Sequence, residues 1–370
     1  MLALTITAVI VFILANAYPI IGLQIQTTRN DTSLLKAVYT LWNQDMRIVA
    51  SLVCFTTFLV PLYELGTMIH ILLAIRLGRK PAGFNMIMRV MQYFNPWGMV
   101  EVFILGVIVA LVKLTHYGSL IPGIALWSIG ILTFLLAACA SSFNIHEIWE
   151  KVHPWPAQTA GQIAAQTGGL CSCHVCGLLS RAGGHGHEVL CPRCAAPLHF
   201  RKPNSLSRSW AFLISAYILY IPANVLPIMK TSSFLGAQDD TIMSGVIYLW
   251  HSGSWDLALV VFIASILVPL MKLLAMTVLL VTVQRRSVWQ PLQRTKLYRI
   301  VELVGRWSML DIYVVAMLAA LVQIGSLANI KAGPAALAFG AVVVLTMFAA
   351  MEFDPRLIWD PLQKEIQAHD

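Results

Sequence analysis

Five of the seven cysteines in this 370-residue chain fall between Cys171 and Cys194, in the stretch CSCHVCGLLSRAGGHGHEVLCPRC. Two Cys-x-x-Cys knuckles, Cys173 with Cys176 and Cys191 with Cys194, are separated by a short polar linker rich in glycine and histidine. Four thiolates in two such pairs can reach the corners of a tetrahedron around one Zn2+, and the tight turn of each knuckle lets backbone N–H groups donate to the sulfurs. The spacing predicts a zinc ribbon with one structural ion held by Cys173, Cys176, Cys191 and Cys194. His174, His185 and His187 are alternative ligands, and Cys171 could exchange with Cys173. The four-thiolate set is preferred because both pairs then share one knuckle spacing. The competing use of paired knuckles is electron cycling in a membrane thiol oxidoreductase, but no thioredoxin or quinone signature accompanies them. Cys54 and Cys139 lie inside apolar runs, where a free thiol acts as a small hydrophobe.

The elements that must position this module are apolar. Hydrophobic residues make up 58% of the chain and charged residues 11%, which leaves too little polar surface to cover a water-soluble core. The composition predicts an all-α polytopic membrane protein. Eight spans are read near residues 1–18, 47–75, 97–116, 120–143, 210–227, 255–283, 307–324 and 335–351. Met1 to Tyr18 has no basic flank and no small-residue cleavage site, so it reads as the first span rather than a signal peptide. Between the first two spans an amphipathic patch at Leu34 to Trp42 is expected at the interface. Pro61 interrupts the second span. The domain division is a membrane unit at 1–150, a linker at 151–170, the ribbon at 171–205, a second membrane unit at 206–360 and a tail at 361–370.

The two apolar halves repeat each other. Ala15-Asn-Ala-Tyr-Pro19-Ile matches Ala223-Asn-Val-Leu-Pro227-Ile, and Leu59-Val-Pro61-Leu matches Leu267-Val-Pro269-Leu. Trp97-Gly-Met-Val-Glu101 matches Trp307-Ser-Met-Leu-Asp311, and Ile148-Trp149-Glu150 matches Ile358-Trp359-Asp360. Chance apolar similarity would not preserve tryptophan, proline and acidic residues at a nearly constant offset. Two repeated four-helix units of the same topology, joined by the ribbon, are expected. Glu64 and Lys272 each follow the mid-span proline by three residues, roughly 18 to 20 Å from the basic helix end by helix rise, too deep for easy snorkelling. An ion pair between them across the pseudo-axis is one expectation.

Positive charge gathers in the loops Arg76 to Arg89 and Arg285 to Arg306, whereas the alternate loops carry Asp239, Asp240 and Asp256. By the bias of basic residues, these loops, the ribbon and both termini lie in the cytoplasm. A reducing compartment keeps the thiols available for metal. The net charge of +8 suits an anionic lipid surface better than nucleic acid. No Walker A sequence and no G-x-S-x-G elbow occur, so neither P-loop ATP binding nor nucleophilic hydrolysis is expected, and the chain does not read as an enzyme.

Several segments resemble the paraquat-inducible protein A family of Gram-negative inner-membrane proteins. They are Cys191-Pro-Arg-Cys194, Pro222-Ala-Asn-Val-Leu-Pro227, Ser265-Ile-Leu-Val-Pro269, Gly305-Arg-Trp-Ser-Met-Leu-Asp311 and Leu357-Ile-Trp-Asp360. The resemblance covers essentially the whole chain. It implies transport of phospholipid-like molecules between inner and outer membranes, with a periplasm-spanning partner built of MCE (mammalian cell entry) domains. It further implies a polar cluster of Lys113, His116, Ser265, Lys272, Ser308 and Thr346, with His116 standing where relatives can carry an acid. Competing structural roles are snorkelling for Lys113, helix-to-helix hydrogen bonds for Ser308 and Thr346, and helix N-terminal placement for Glu101 and Asp311. For uphill transport the expected energy source is either a partner or proton movement through groups such as Glu64 and His116. The family has a ribbon before each membrane unit, and here none precedes the first span, so the first ribbon is either lost or encoded upstream of Met1. The remaining alternative is a zinc-dependent scaffold or regulator without a transport path.

Overall fold

The computed structural model describes residues 1–25, 28–114, 119–154, 170–181, 189–233, 236–253, 255–321, 323–324 and 328–361. Helix α1 (Leu2–Ala17) leads into a hairpin of β1 (Ile21–Ile25) and β2 (Thr28–Thr32). Helix α2 (Leu34–Asn43) follows, its N-terminus capped by Ser33, which accepts from the Lys36 N–H at 3.3 Å. Next come α3 (Arg47–Cys54), a π-helical turn at Phe55–Leu59 and α4 (Val60–Arg76). Helix α5 (Phe84–Phe94), a 3-10 turn at Asn95–Trp97 and α6 (Val100–Leu114) form a broken rod, and β3 (Ser119–Pro122), α7 (Ile124–Ser142) and α8 (Ile145–Val152) complete the first half.

Beyond the cysteine module the order recurs. Helix α9 (Ser205–Val225), the hairpin β8 (Met229–Ser233) and β9 (Gly236–Asp240), and α10 (Ile242–His251) are followed by α11 (Trp255–Phe262). A π-helical turn at Ile263–Leu267, α12 (Val268–Gln284), α13 (Pro291–Trp307) and α14 (Leu310–Leu321) come next, and strands β10 (Gln323–Ile324) and β11 (Ala328–Ala332) precede α15 (Pro334–Glu352). Both π turns stand one residue before a proline, Pro61 or Pro269. A proline inside a helix removes one N–H and crowds the carbonyl four residues back, and widening one turn relieves both. The second span is therefore continuous through Pro61 rather than interrupted by it.

Strands are the first departure from an all-α expectation. An antiparallel sheet of order β2-β1-β3 joins the ends of α1, α6 and α7, and one of order β10-β11-β8-β9 joins those of α9, α14 and α15. These segments are too short and polar to read as spans, and only β1, with Ile21, Leu23 and Ile25 set against Gly22 and Gln24, shows the alternation of a strand. Two glycines lock each sheet to the helix that follows it. A Cβ on Gly123 would stand 2.0 Å from the Pro19 carbonyl oxygen, and one on Gly333 would stand 2.1 Å from that of Pro227. Each glycine N–H donates to the next carbonyl, Ile20 at 2.9 Å and Ile228 at 2.7 Å.

The molecule is mostly helical. Five helical runs are long and apolar enough to cross a membrane: Arg47–Arg76, Phe84–Leu111, Ile124–Ser142, Ala258–Gln284 and Pro334–Glu352. The third expected span thus begins earlier than residue 97, because an amphipathic helix continues into it through the 3-10 turn. Leu2–Ala17 and Ile312–Leu321 are apolar but shorter, and α9 is long but polar at its amino end, so the expected eight spans reduce to five by this measure among the described residues.

Helix α14 is the centre of the core. Every residue from Ile312 to Leu321 is buried, as expected for a helix apolar all round and enclosed by others. It packs on α6, α2, α3 and α15, with Gly106 allowing α6 so close that an added Cβ would lie 2.8 Å from the Tyr313 Cβ. The Tyr313 hydroxyl donates to Thr56 Oγ1 at 2.9 Å, linking α14 to the first π turn. The Ala332 N–H donates to Gln44 Oε1 at 3.1 Å, a second tie across the seam between halves.

Candidate functional site

Two hairpins, β4 (Leu170–Ser172) with β5 (Leu179–Arg181) and β6 (Val189–Leu190) with β7 (Pro197–Leu198), each present one knuckle. In each knuckle the chain reverses at a left-handed residue, Gly177 or Ala195, whose N–H donates back to the first cysteine's carbonyl at 2.9 or 2.7 Å. The result gathers the Sγ atoms of Cys173, Cys176, Cys191 and Cys194 within 4.8 Å of one another, all four residues buried. Cys173 lies 3.5 Å from Cys194, and Cys176 lies 3.5 Å from Cys191. A tetrahedral ion with sulfur bonds of about 2.3 Å needs sulfurs about 3.8 Å apart, so the donor set fits a metal ion.

The electrostatics agree with that use. A hydrogen bond from the Cys176 thiol lowers Cys173, helped by backbone N–H groups of Cys176 and Val175. The same contact raises Cys176, and burial raises Cys194 to about 11. A divalent cation in their midst would let all four ionise together. Cys171 stands apart, its thiol donating to the His199 carbonyl at 3.2 Å, and burial raises it. His174 is exposed and does not join the cluster; His185 and His187 lie outside the described residues.

The module is clamped to both halves. From α5, Arg89 donates to the Cys194 carbonyl, and Gln92 donates to that of Val175 at 2.6 Å. Arg193 stacks 5.7 Å over the Trp149 ring and donates to the His153 carbonyl at 2.9 Å. On the other side Arg201 pairs with Asp360, and the Lys202 N–H donates to Asp354 at 3.2 Å. These long-range partners carry no spacing signal that sequence reading could use.

A second site lies among α12, α13, α15 and the 3-10 turn at Asn95–Trp97. Lys272 is 3% exposed, and its ammonium has no hydrogen-bond partner. It lines a cavity of ≈ 140 Å³ with Asn95, Pro96, Tyr298, Glu302, Gly305 and Met347. Asn95 and Pro96 come from the break in the first half's α5–α6 rod, so the cavity straddles the seam. A Cβ on Gly305 would stand 3.5 Å from the Lys272 nitrogen, which fits a small residue there. Tyr298 is held by donation to the Ala350 carbonyl at 3.1 Å.

Glu64, the positional match of Lys272, is half-buried. Its Oε1 lies 3.2 Å from where a Gly98 Cβ would be, against the break of its own half. The Lys272 ammonium is unpartnered, so the expected ion pair between them is not formed. Ser265 is buried inside the second π turn. Ser308 and Thr346 donate to carbonyls of their own helices, Val304 at 3.5 Å and Val343 at 2.9 Å. Glu101 sits in the first turn of α6. His116 and the side chains of Lys113 and Asp311 lie outside the described residues. Asn95 and Pro96 escape sequence reading as site residues because they stand in what reads as the entry to a span, although the Asn-Pro pair does signal a helix break.

The family described as Paraquat-inducible protein A matches residues 1–153 and 206–363, the stretches flanking the cysteine module. The chain is 35% identical over 362 residues to Intermembrane transport protein PqiA of Escherichia coli K12, covering 97% of this chain and 85% of that protein. It is 31% identical over 358 residues to Lipophilic envelope-spanning tunnel protein A of the same organism, covering 97% and 81%. A Probable intermembrane transport protein of Haemophilus influenzae is 30% identical over 371 residues, covering 99% and 86%. No solved structure matches the chain significantly.

Proposed function

Because the chain belongs to the paraquat-inducible protein A family, we propose that it passes phospholipid-like molecules between the inner membrane and a periplasm-spanning MCE-domain partner. It does so as an inner-membrane subunit of two repeated four-helix units, residues 1–150 and 206–360. A ribbon at 171–205 joins them behind a linker at 151–170, and a tail follows at 361–370. The basic loops, the ribbon and both termini face the cytoplasm. Support for the repeat comes from the paired π turns, the paired glycine locks and the recurring order of elements. Support for the intermembrane role comes from the relatives' names, and the chain acts as a carrier rather than a catalyst.

The observation that carries this reading is the Lys272 ammonium, buried without a partner beside a cavity. An uncompensated charge inside a membrane protein costs several kcal/mol, and the anionic headgroup of a lipid passing through would offset that cost. Ser265, Ser308 and Thr346 contribute polar atoms from the flanking helices, and Lys113 and His116 extend the polar path along the first half's third span. Proton movement through Glu64 and His116 supplies the driving force. In a vesicle-to-acceptor lipid-transfer assay with the partner present, Lys272→Met is expected to lower the rate at least tenfold, and Lys272→Arg to retain most of it. The Met variant should melt no lower than the parent, since an apolar side chain of similar length fills the site. Undiminished transfer by Lys272→Met would refute the assignment, and transfer unaffected by an uncoupler would remove the proton step.

The ion in the ribbon is zinc, chosen by the four-thiolate, closed tetrahedral donor set. Elemental analysis of the purified protein is expected to find one zinc per chain, lost in Cys194→Ser; a redox-active iron or no metal would contradict it.

A further inference from the structure

A groove of ≈ 760 Å³ runs along the seam between the halves, lined among others by Leu52, Phe55, Tyr93, Trp97, Val344 and Phe348, and almost wholly apolar. It adjoins the Lys272 cavity. Tyr93 and Trp97 face the groove while Asn95 and Pro96 between them face the cavity, and on α15 Phe348 faces the groove while its neighbour Met347 faces the cavity. Cavity and groove are thus lined by neighbouring residues, and on the groove side Trp97 and Phe348 pack with ring centroids 5.4 Å apart. Trp97 is 5% exposed, and its indole N–H has no hydrogen-bond partner. A buried indole N–H ordinarily finds an acceptor, because desolvating it without one is unfavourable.

Three features thus occur on neighbouring parts of the seam: an unpaired ammonium in the cavity, an unpaired indole N–H on a groove-lining tryptophan, and a long apolar groove. Resting on the transport reading above, we propose that one glycerolipid binds across the seam. Its anionic headgroup meets Lys272, an ester carbonyl accepts from the Trp97 N–H, and an acyl chain lies in the groove. Such a lipid carries a charge, an ester acceptor and hydrocarbon, one for each feature, and the groove's size falls within the range of about 300–1,000 Å³ usual for small-molecule sites. A lipid held this way touches both halves, so each half alone has an incomplete site.

The discriminating probe is a pair of phosphatidylglycerols identical in headgroup and chains, one ester-linked and one ether-linked, the latter lacking the carbonyl acceptors. Competition binding to the full-length protein in detergent is expected to favour the ester lipid about five- to tenfold, the worth of one buried hydrogen bond. Trp97→Phe keeps the ring and removes the donor, and should abolish that preference by weakening the ester lipid while leaving the ether lipid unchanged. Equal affinities in the parent protein, or an equal loss for both lipids in Trp97→Phe, would overturn the assignment. A second arm needs no variant: an analogue with a photoreactive group at the chain terminus should label Leu52 and Val344. Labelling spread evenly over the lipid-facing helices would mean annular lipid only and defeat the proposal. If transfer still depends on Lys272 while the ester preference and the groove label are absent, the chain lies elsewhere and the transport reading stands. If Lys272→Met also leaves transfer and binding unchanged, both fall.

Discussion

The two halves place the same elements in the same order and then use them differently. Glu64 and Lys272 occupy one position, three residues after the proline that follows a π turn, yet the carboxylate is half-buried against its own helix break while the ammonium is sealed beside a cavity. Helices α2 and α10 show the same divergence. Leu34, Ala37, Thr40 and Leu41 of α2 are buried, and α2 packs on α14; in α10 only Ile242 and Val246 are buried, with Tyr248 66% exposed. The first half thus serves as packing for the second half's central helix, and the second half holds the buried charge.

The shared part gives the largest expected effect. Gly123→Ala and Gly333→Ala should each destabilise by roughly 3 kcal/mol or more, because the new Cβ would meet a backbone carbonyl that cannot yield. Thermal melting of both variants checks this; a marked loss in only one would show that the two locks are not equivalent. The divergent helices come next. Leu41→Ala should cost about 2–5 kcal/mol as a fully buried leucine, whereas Leu249→Ala at the matching position, only partly covered, should cost less than about 1 kcal/mol. Equal losses would mean that α10 is covered as α2 is. The smallest effect is expected from Glu64→Gln in the lipid-transfer assay, less than about twofold in the absence of an imposed proton gradient, against the tenfold loss at Lys272. A loss as large as that at Lys272 would erase the division of labour.

Much of this was legible in residue types. Two paired knuckles specify the cysteine cluster because thiolate geometry leaves few other uses for the spacing, and they also separate Cys173 from Cys171, whose sulfur turns away to His199. The matched prolines mark where the two helices are disturbed, but Pro61 reads as an interruption, and a proline alone does not reveal that the helix widens instead of stopping. Other features were hidden for physical reasons. The hairpins at Ile21–Thr32 and Met229–Asp240 are short, and apart from the alternating Ile21, Leu23 and Ile25 their strands are polar, with no apolar run to mark them. The break at Asn95–Trp97 lies where an amphipathic helix merges with an apolar one, and hydropathy sees the sum. The hydroxyls of Ser308 and Thr346 bond their own helices, a choice of rotamer that no sequence pattern records. In the sequence Trp97 stands out only as the repeat partner of Trp307, and its unmatched N–H is visible only in the structure.

Helix α14 has 12 residues, about 18 Å by helix rise and far short of a hydrocarbon core of about 30 Å. It can afford that length because protein, not lipid, surrounds it. It also leaves the ribosome after α2, α3 and α6, which precede it in the chain. Until it arrives, the surfaces that will enclose it are open to acyl chains. The amino-terminal half is thus a mould that stays unset until α14 is made, and a nascent chain stopped before residue 310 presents a cleft rather than a finished bundle.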